Sequence, residues 1–140
     1  MRRTCIVLLA LAAAGCSQVE HAEPDSPQAL AELVASGVVP GALPASAKVT
    51  AAWEPSGDAV VLISLPDIAT AESFSASLPA PGAAPAAPAP VSLMRRLDPD
   101  AGELADAIRG GSVRPVRRIG PDGAWVFACD AERVCWAWRE

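Results

Sequence analysis

Residues 112–140 read SVRPVRRIGPDGAWVFACDAERVCWAWRE. This stretch contains three short runs rich in β-branched and aromatic residues, which are typical of β-strands. The first two runs are separated by the sequence GPDG at 120–123, a strong turn signal. A disulfide between Cys129 and Cys135 would cross the second turn and hold the last two runs in register. The stretch therefore predicts a C-terminal antiparallel meander over residues 112–139.

The register of the last two strands follows from the cysteine pair, because directly opposed residues in an antiparallel pair share a face of the sheet. If Cys129 faces Cys135, four further pairs lie opposite one another: Ala128 and Trp136, Phe127 and Ala137, Val126 and Trp138, Trp125 and Arg139. Trp136 and Trp138 then lie on one face, and Trp125 lies on the other with the disulfide. Each large ring meets a small or complementary partner, which supports this register.

Arginine side chains precede these aromatic residues, and their position depends on the length of the first turn. A two-residue turn places Arg114 and Arg118 on the face of Trp125. A type I turn with a glycine bulge shifts the pairing by one residue and places both arginines on the face of Trp136 and Trp138. Arginine beside indole suits the recognition of sugars, peptides or anionic polymers, so these five residues form a candidate binding surface. The alternative is that the tryptophans are core and the arginine stems cover them.

The middle of the chain predicts a second hairpin, over residues 47–65. β-Branched and apolar residues lie on both sides of the turn sequence PSGD at 55–58. The run from Val60 to Leu65 is almost continuously apolar, which indicates a central strand buried on both faces. The two hairpin regions together predict a small antiparallel sheet.

Two or three short helices complete the predicted α+β fold. Ser26 and Pro27 can start a helix that ends at Gly37, since serine caps helices and proline suits the first position. A second helix is predicted from Asp98-Pro99 to the glycine pair at 110–111, with an apolar stripe along one face. Residues 67–78 are either a third short helix or a loop.

The sequence PAPGAAPAAPAP at 79–90 is of low complexity, and its prolines cannot join a β-ladder. It either separates two domains or forms a long loop within one. Each flank has only about 50 residues, a size at which a single core is marginal. We therefore expect one small α+β domain over residues 28–140, with residues 79–90 as a protruding loop. The sequence VSLMRRL at 91–97 predicts a further strand.

The first sixteen residues read MRRTCIVLLALAAAGC. Two arginines precede an apolar run that is too short to span a membrane and that ends in small residues, which is the pattern of a secretory signal. The sequence Ala13-Ala14-Gly15-Cys16 resembles the lipobox, the processing site of bacterial lipoproteins. Members of that family most often have leucine where this chain has Ala13, and ordinary signal cleavage after Ala14 is the alternative.

The resemblance implies a signal peptide over residues 1–15 and cleavage before Cys16. The Cys16 sulfur would carry diacylglycerol, and its new amino group would carry an acyl chain such as palmitate, which together bind a membrane stably. Residues 16–27 would form a flexible lipid tether. Because Ser17 follows the cysteine, the motif also resembles lipoproteins sorted to the outer membrane, and the expected location is the periplasmic face of the envelope.

The cysteine count agrees with lipidation. The chain has four cysteines, and Cys5 would leave with the signal. If Cys16 is lipidated, Cys129 and Cys135 remain as an even pair in an oxidising compartment. Cleavage without lipidation would leave one of three thiols unpaired.

The charge balance argues against nucleic acid as a partner. All sixteen acidic residues follow the signal and two of the eleven basic ones lie within it, so the processed chain has a net charge of about −7. A chain of this charge with no basic run is a poor nucleic-acid binder.

Residues for catalysis are scarce in this sequence. The only histidine, His21, lies in the expected tether, so a Ser-His-Asp or Cys-His site is not expected. The cysteine spacing does not match zinc or thioredoxin-like sites. Asp100, Glu103 and Asp106 are interpreted as a solvated helix face favoured by the helix dipole. We therefore expect no enzymatic activity, no metal and no cofactor.

The sequence as a whole predicts a lipid-anchored periplasmic protein that binds or supports another component of the envelope. Its expected partners are the membrane, through the lipid on Cys16, and an envelope protein or a cell-wall component. The alternative function is a small inhibitor or binder of a cell-wall lytic enzyme or a glycan.

Overall fold

The computed structural model describes residues 19–79, 87–121, 123–130 and 134–140. Within these ranges the chain forms a six-stranded sheet and four short helices, which confirms the predicted α+β class. The elements, in chain order, are β1 Glu20–Ala22, α1 Pro27–Ala35, β2 Lys48–Trp53, β3 Ala59–Ser64, α2 Ile68–Ser77, α3 Val91–Met94, α4 Ala101–Arg109, β4 Val116–Gly120, β5 Gly123–Cys129 and β6 Val134–Arg139.

The sheet is open and fully antiparallel, with the strand order β1-β2-β3-β6-β5-β4. Both predicted hairpin regions are present, as β2–β3 and as the β4–β5–β6 meander. They join through β3 and β6, so strands from both sides of the Pro/Ala-rich segment at 79–90 share one sheet. The predicted central position of the Val60–Leu65 run is confirmed, because β3 lies between β2 and β6.

Helices cover both faces of the sheet, and the strands are therefore buried on two sides. On the first face, α1 and α2 pack against alternate residues of the strands, including Val61, Ile63 and Phe127. On the second face, α3 and α4 pack against the intervening residues, including Val126 and Trp136. Burial on both faces explains why β3, β5 and β6 read as nearly continuous apolar runs.

Two of the helices begin at side-chain caps. The Ser26 hydroxyl accepts a hydrogen bond from the Ala29 N–H at 3.1 Å, with Pro27 at the first helical position, as predicted for α1. The Asp67 carboxylate accepts a hydrogen bond from the Thr70 N–H at 2.7 Å, which starts α2. This cap shows that residues 67–78 form a helix rather than a loop.

Two predictions about residues 91–100 are wrong. The sequence VSLMRRL contains the helical turn α3 rather than a strand, because the adjacent residues Leu93 and Met94 are both buried in the second face. In a strand they would point to opposite sides. Helix α4 begins at Ala101 rather than directly after Asp98, whose carboxylate accepts a hydrogen bond from the Asp100 N–H in the preceding turn.

Part of the segment predicted as a flexible tether, residues 16–27, belongs to the folded domain. Residues 20–22 form β1, which pairs with β2 as an edge strand and contains His21. Val19 also packs against the core of the second face. Without β1, the outer edge of β2 would have unpaired backbone donors and acceptors. Pairing with these groups orders a polar segment that has no apolar periodicity of its own. Residues 1–18, with the predicted signal and Cys16, lie outside the described residues.

Candidate functional site

The first turn of the meander has two residues, because Gly120 pairs with Gly123. Gly123 has a φ of +101°, a left-handed conformation that glycine adopts without strain. This turn places Arg118 directly opposite Trp125 and settles the alternative that the sequence left open.

Trp125 lies between two arginines in one row across three strands. Arg118 opposes it on β4, and Arg139 opposes it on β6. The Arg139 guanidinium carbon lies 5.8 Å from the centroid of the Trp125 ring, a cation–π contact. The indole is only 1% exposed, so the covered ring presents no face to a ligand.

Trp136 and Trp138 lie on the second face of the sheet, opposite Ala128 and Val126 as the predicted register requires. They are 4% and 1% exposed, and both pack beneath α3 and α4. The Trp138 indole N–H donates a hydrogen bond to the Ala87 carbonyl at 3.0 Å, which fastens the end of the Pro/Ala-rich segment to the sheet.

The five residues of the candidate binding surface are therefore not brought together. Trp125 lies on the opposite face from Trp136 and Trp138, and all three rings are core. The physical reason is the second helical layer: α3 and α4 bury the face that a one-sided sheet would have left open to a ligand.

Three arginines, Arg114, Arg117 and Arg118, lie in or just before β4, the outer strand of the sheet. Arg114 lies just before β4 and is exposed, and Arg118 is half-buried beside Trp125. Arg117 is exposed on the other face of β4, and its side chain forms a salt bridge with Glu140. Arg139 is not among the five candidate residues, although the predicted register places it opposite Trp125.

A disulfide joins Cys129 to Cys135, which lie opposite each other on β5 and β6. Cys135 is buried in the first face, and Cys129 is half-buried at the strand end. The bond therefore closes the β5–β6 hairpin at the edge of the first core.

The first face also has a groove of about 670 Å³ between α1 and the chain that leads into β2. Its lining is mainly apolar and includes Leu30, Val34, Leu43 and Val49. Asp25, at the rim, is the one charged side chain of the lining. The groove can contact apolar groups.

Within the described ranges, no three His, Cys, Asp or Glu side chains lie close enough together to bind a metal ion. Asp106, one of the two carboxylates of α4, forms an exposed salt bridge with Arg109. No helix in the described part of the chain is sufficiently long and apolar to cross a membrane.

Comparison with protein-family models, with curated proteins and with solved structures finds no match for this chain.

Proposed function

We propose that this protein is a lipoprotein of the periplasmic face of the envelope, held at the outer membrane by the lipid on Cys16, where it acts as a binding or accessory module. The observation that carries the proposal is the sequence Ala13-Ala14-Gly15-Cys16 behind a charged and then apolar N-terminus. The disulfide between Cys129 and Cys135 supports export, because such bonds persist in oxidising compartments.

The partner surface that we propose is the arginine-bearing outer edge of the sheet, defined by Arg114, just before β4, and Arg118, within β4. Because the indoles are core, only the guanidinium groups remain to contact a partner. Guanidinium groups bind carboxylates in two-point hydrogen-bonded pairs, so an acidic surface of an envelope protein fits this edge.

Metabolic labelling with radioactive palmitate tests the anchor. The unmodified chain should incorporate the label and partition with the membrane, and Cys16→Ser should abolish both. Cys5→Ser is the matched control, since this cysteine lies within the signal and should leave lipidation intact. Label that persists in Cys16→Ser, or a processed chain with an unmodified cysteine, would contradict the proposal.

Crosslinking in intact cells tests the partner surface. The double variant Arg114→Ala/Arg118→Ala should stay folded and membrane-attached yet lose its crosslinked partner. Arg95→Ala/Arg96→Ala is the matched control, because it removes the same number of arginine charges from an exposed pair that follows α3. An unchanged crosslinking pattern in the Arg114/Arg118 variant would show that these side chains only cover the core.

A further inference from the structure

The lipid on Cys16 would be held very close to the folded domain. Only Ser17 and Gln18 separate this cysteine from Val19, which packs against the core of the second face. Three residues span at most about 11 Å when fully extended. On the proposed lipidation, on which this inference rests, the start of β1 therefore lies within about that distance of the bilayer surface.

The strand register shows which end of the sheet the lipid reaches. Glu20, the first residue of β1, belongs to a row that crosses all six strands, because Val60 pairs with Trp138 and joins the two halves of the sheet. We call this row the anchor end of the sheet: Glu20, Trp53, Ala59, Arg139, Trp125 and Arg118. The disulfide between Cys129 and Cys135 lies at the opposite end, which we call the distal end.

An exposed apolar side chain lies just beyond the anchor end. Ile119 follows Arg118 on β4 and is 71% exposed. Ile68, the other large apolar side chain exposed among the described residues, is 56% exposed. It begins α2, four residues after β3 ends at Ser64, and so belongs to the distal end. The two exposed isoleucines therefore lie at opposite ends of the sheet, and only Ile119 shares its end with the anchor.

We propose that the anchor end faces the bilayer and that Ile119 inserts among the lipid headgroups as a second membrane contact. Strands β1 and β4 are five strand spacings apart, or about 24 Å, so the lipid and Ile119 would touch the membrane at separate points. Two separate points fix the tilt of the sheet, which one flexible anchor does not.

Two effects favour this weak second contact. The lipid already confines the domain to the surface, so insertion of one side chain is an intramolecular step with a high effective concentration. Ile119 is 71% exposed, so its insertion among the headgroups removes apolar surface from water. The distal end, with the disulfide and Arg114 near the start of β4, then points into the periplasm.

Short-range fluorescence quenching in vesicles tests the orientation. Ile119→Cys and Ile68→Cys are introduced separately into the full lipidated chain, and each new thiol carries an environment-sensitive fluorophore. The native Cys129 and Cys135 are disulfide-bonded and do not react. The proteins are reconstituted into phosphatidylethanolamine–phosphatidylglycerol vesicles with a nitroxide quencher on the headgroups, and flotation confirms attachment.

The proposal expects the label at position 119 to lose most of its fluorescence and the label at position 68 to keep it. Equal quenching at both positions, or none at 119 in protein that floats with the vesicles, would overturn the orientation and leave the anchor intact. Protein that does not float would instead contradict the lipidation itself. Amide hydrogen exchange around Ile119 should also be slower in the unlabelled, vesicle-bound chain than in the same chain without vesicles. Equal exchange rates there would count against the proposal.

Discussion

The guanidinium group of Arg139 lies over the ring of Trp125, with 5.8 Å between the guanidinium carbon and the ring centroid. Gly37, in the turn after α1, lies close to the same guanidinium. A Cβ atom added at Gly37 would be 3.2 Å from an Arg139 nitrogen, and the backbone there has a φ of +78°. Arg139 therefore links the end of β6, the core ring on β5 and the turn after α1.

Two substitutions of Arg139 distinguish the contribution of its charge to stability from the contribution of its apolar stem, which covers Trp125. Arg139→Met keeps an apolar stem over Trp125 and should lower the free energy of unfolding by about 0.5–1 kcal/mol, the range of a partly exposed cation–π contact. Arg139→Ala should cost more, because it also uncovers the ring. Urea denaturation checks both values. Equal losses in the two variants would show that coverage of the ring contributes nothing, and no loss in Arg139→Met would show that the charge contributes nothing.

Trp138→Phe should loosen the attachment of the Pro/Ala-rich segment at 79–90. It removes the N–H that donates to the Ala87 carbonyl and leaves that acceptor without its partner, at a cost of about 1–3 kcal/mol. Limited proteolysis should cut within 79–90 faster than in the unmodified chain. Trp53→Phe is the matched control: it removes an indole N–H that donates to Glu20 and should leave the cleavage rate unchanged.

Removal of the disulfide should destabilise the domain modestly. The Cys129→Ala/Cys135→Ala variant opens a small ring, for which the loop-entropy relation gives about 2 kcal/mol. The register should survive, because Trp125, Phe127 and their cross-strand partners remain buried. Denaturation gives the magnitude, and mass spectrometry of the protein without these substitutions, isolated under non-reducing conditions, should find no free thiol at either position. Two free thiols there would contradict the bond.

Helix α2 should be held to the sheet mainly through Phe74. Its ring contacts Phe127 edge-on with 5.9 Å between the ring centroids, and it is 5% exposed. Phe74→Ala should lower the free energy of unfolding by about 3–5 kcal/mol. Ile68→Ser on the exposed side of the same helix should change it by less than about 0.5 kcal/mol. Similar losses from both variants in chemical denaturation would contradict the packing of α2.

Local chemistry in the sequence determined much of the fold. The cysteine spacing and the size match between rings and small residues were sufficient for the β5–β6 register, down to the pairing of Trp125 with Arg139. Ser26-Pro27 and Gly37 were sufficient for the limits of α1, since caps depend on residues within one helical turn. The resemblance of residues 13–16 to a lipobox concerns a linear pattern, so this prediction does not depend on the fold.

The tertiary structure decided the features that depend on distant partners. Glu20–Ala22 forms a strand only because it can pair with the edge of β2. The sequence VSLM forms a helical turn because its apolar residues pack on the second face of the sheet. Helices α3 and α4 bury Trp136 and Trp138 on this face, so the two rings are core and not part of a binding surface. Whether an apolar ring is exposed or buried depends on which layer packs over it, and strand periodicity alone cannot tell a sheet covered on one face from one covered on both.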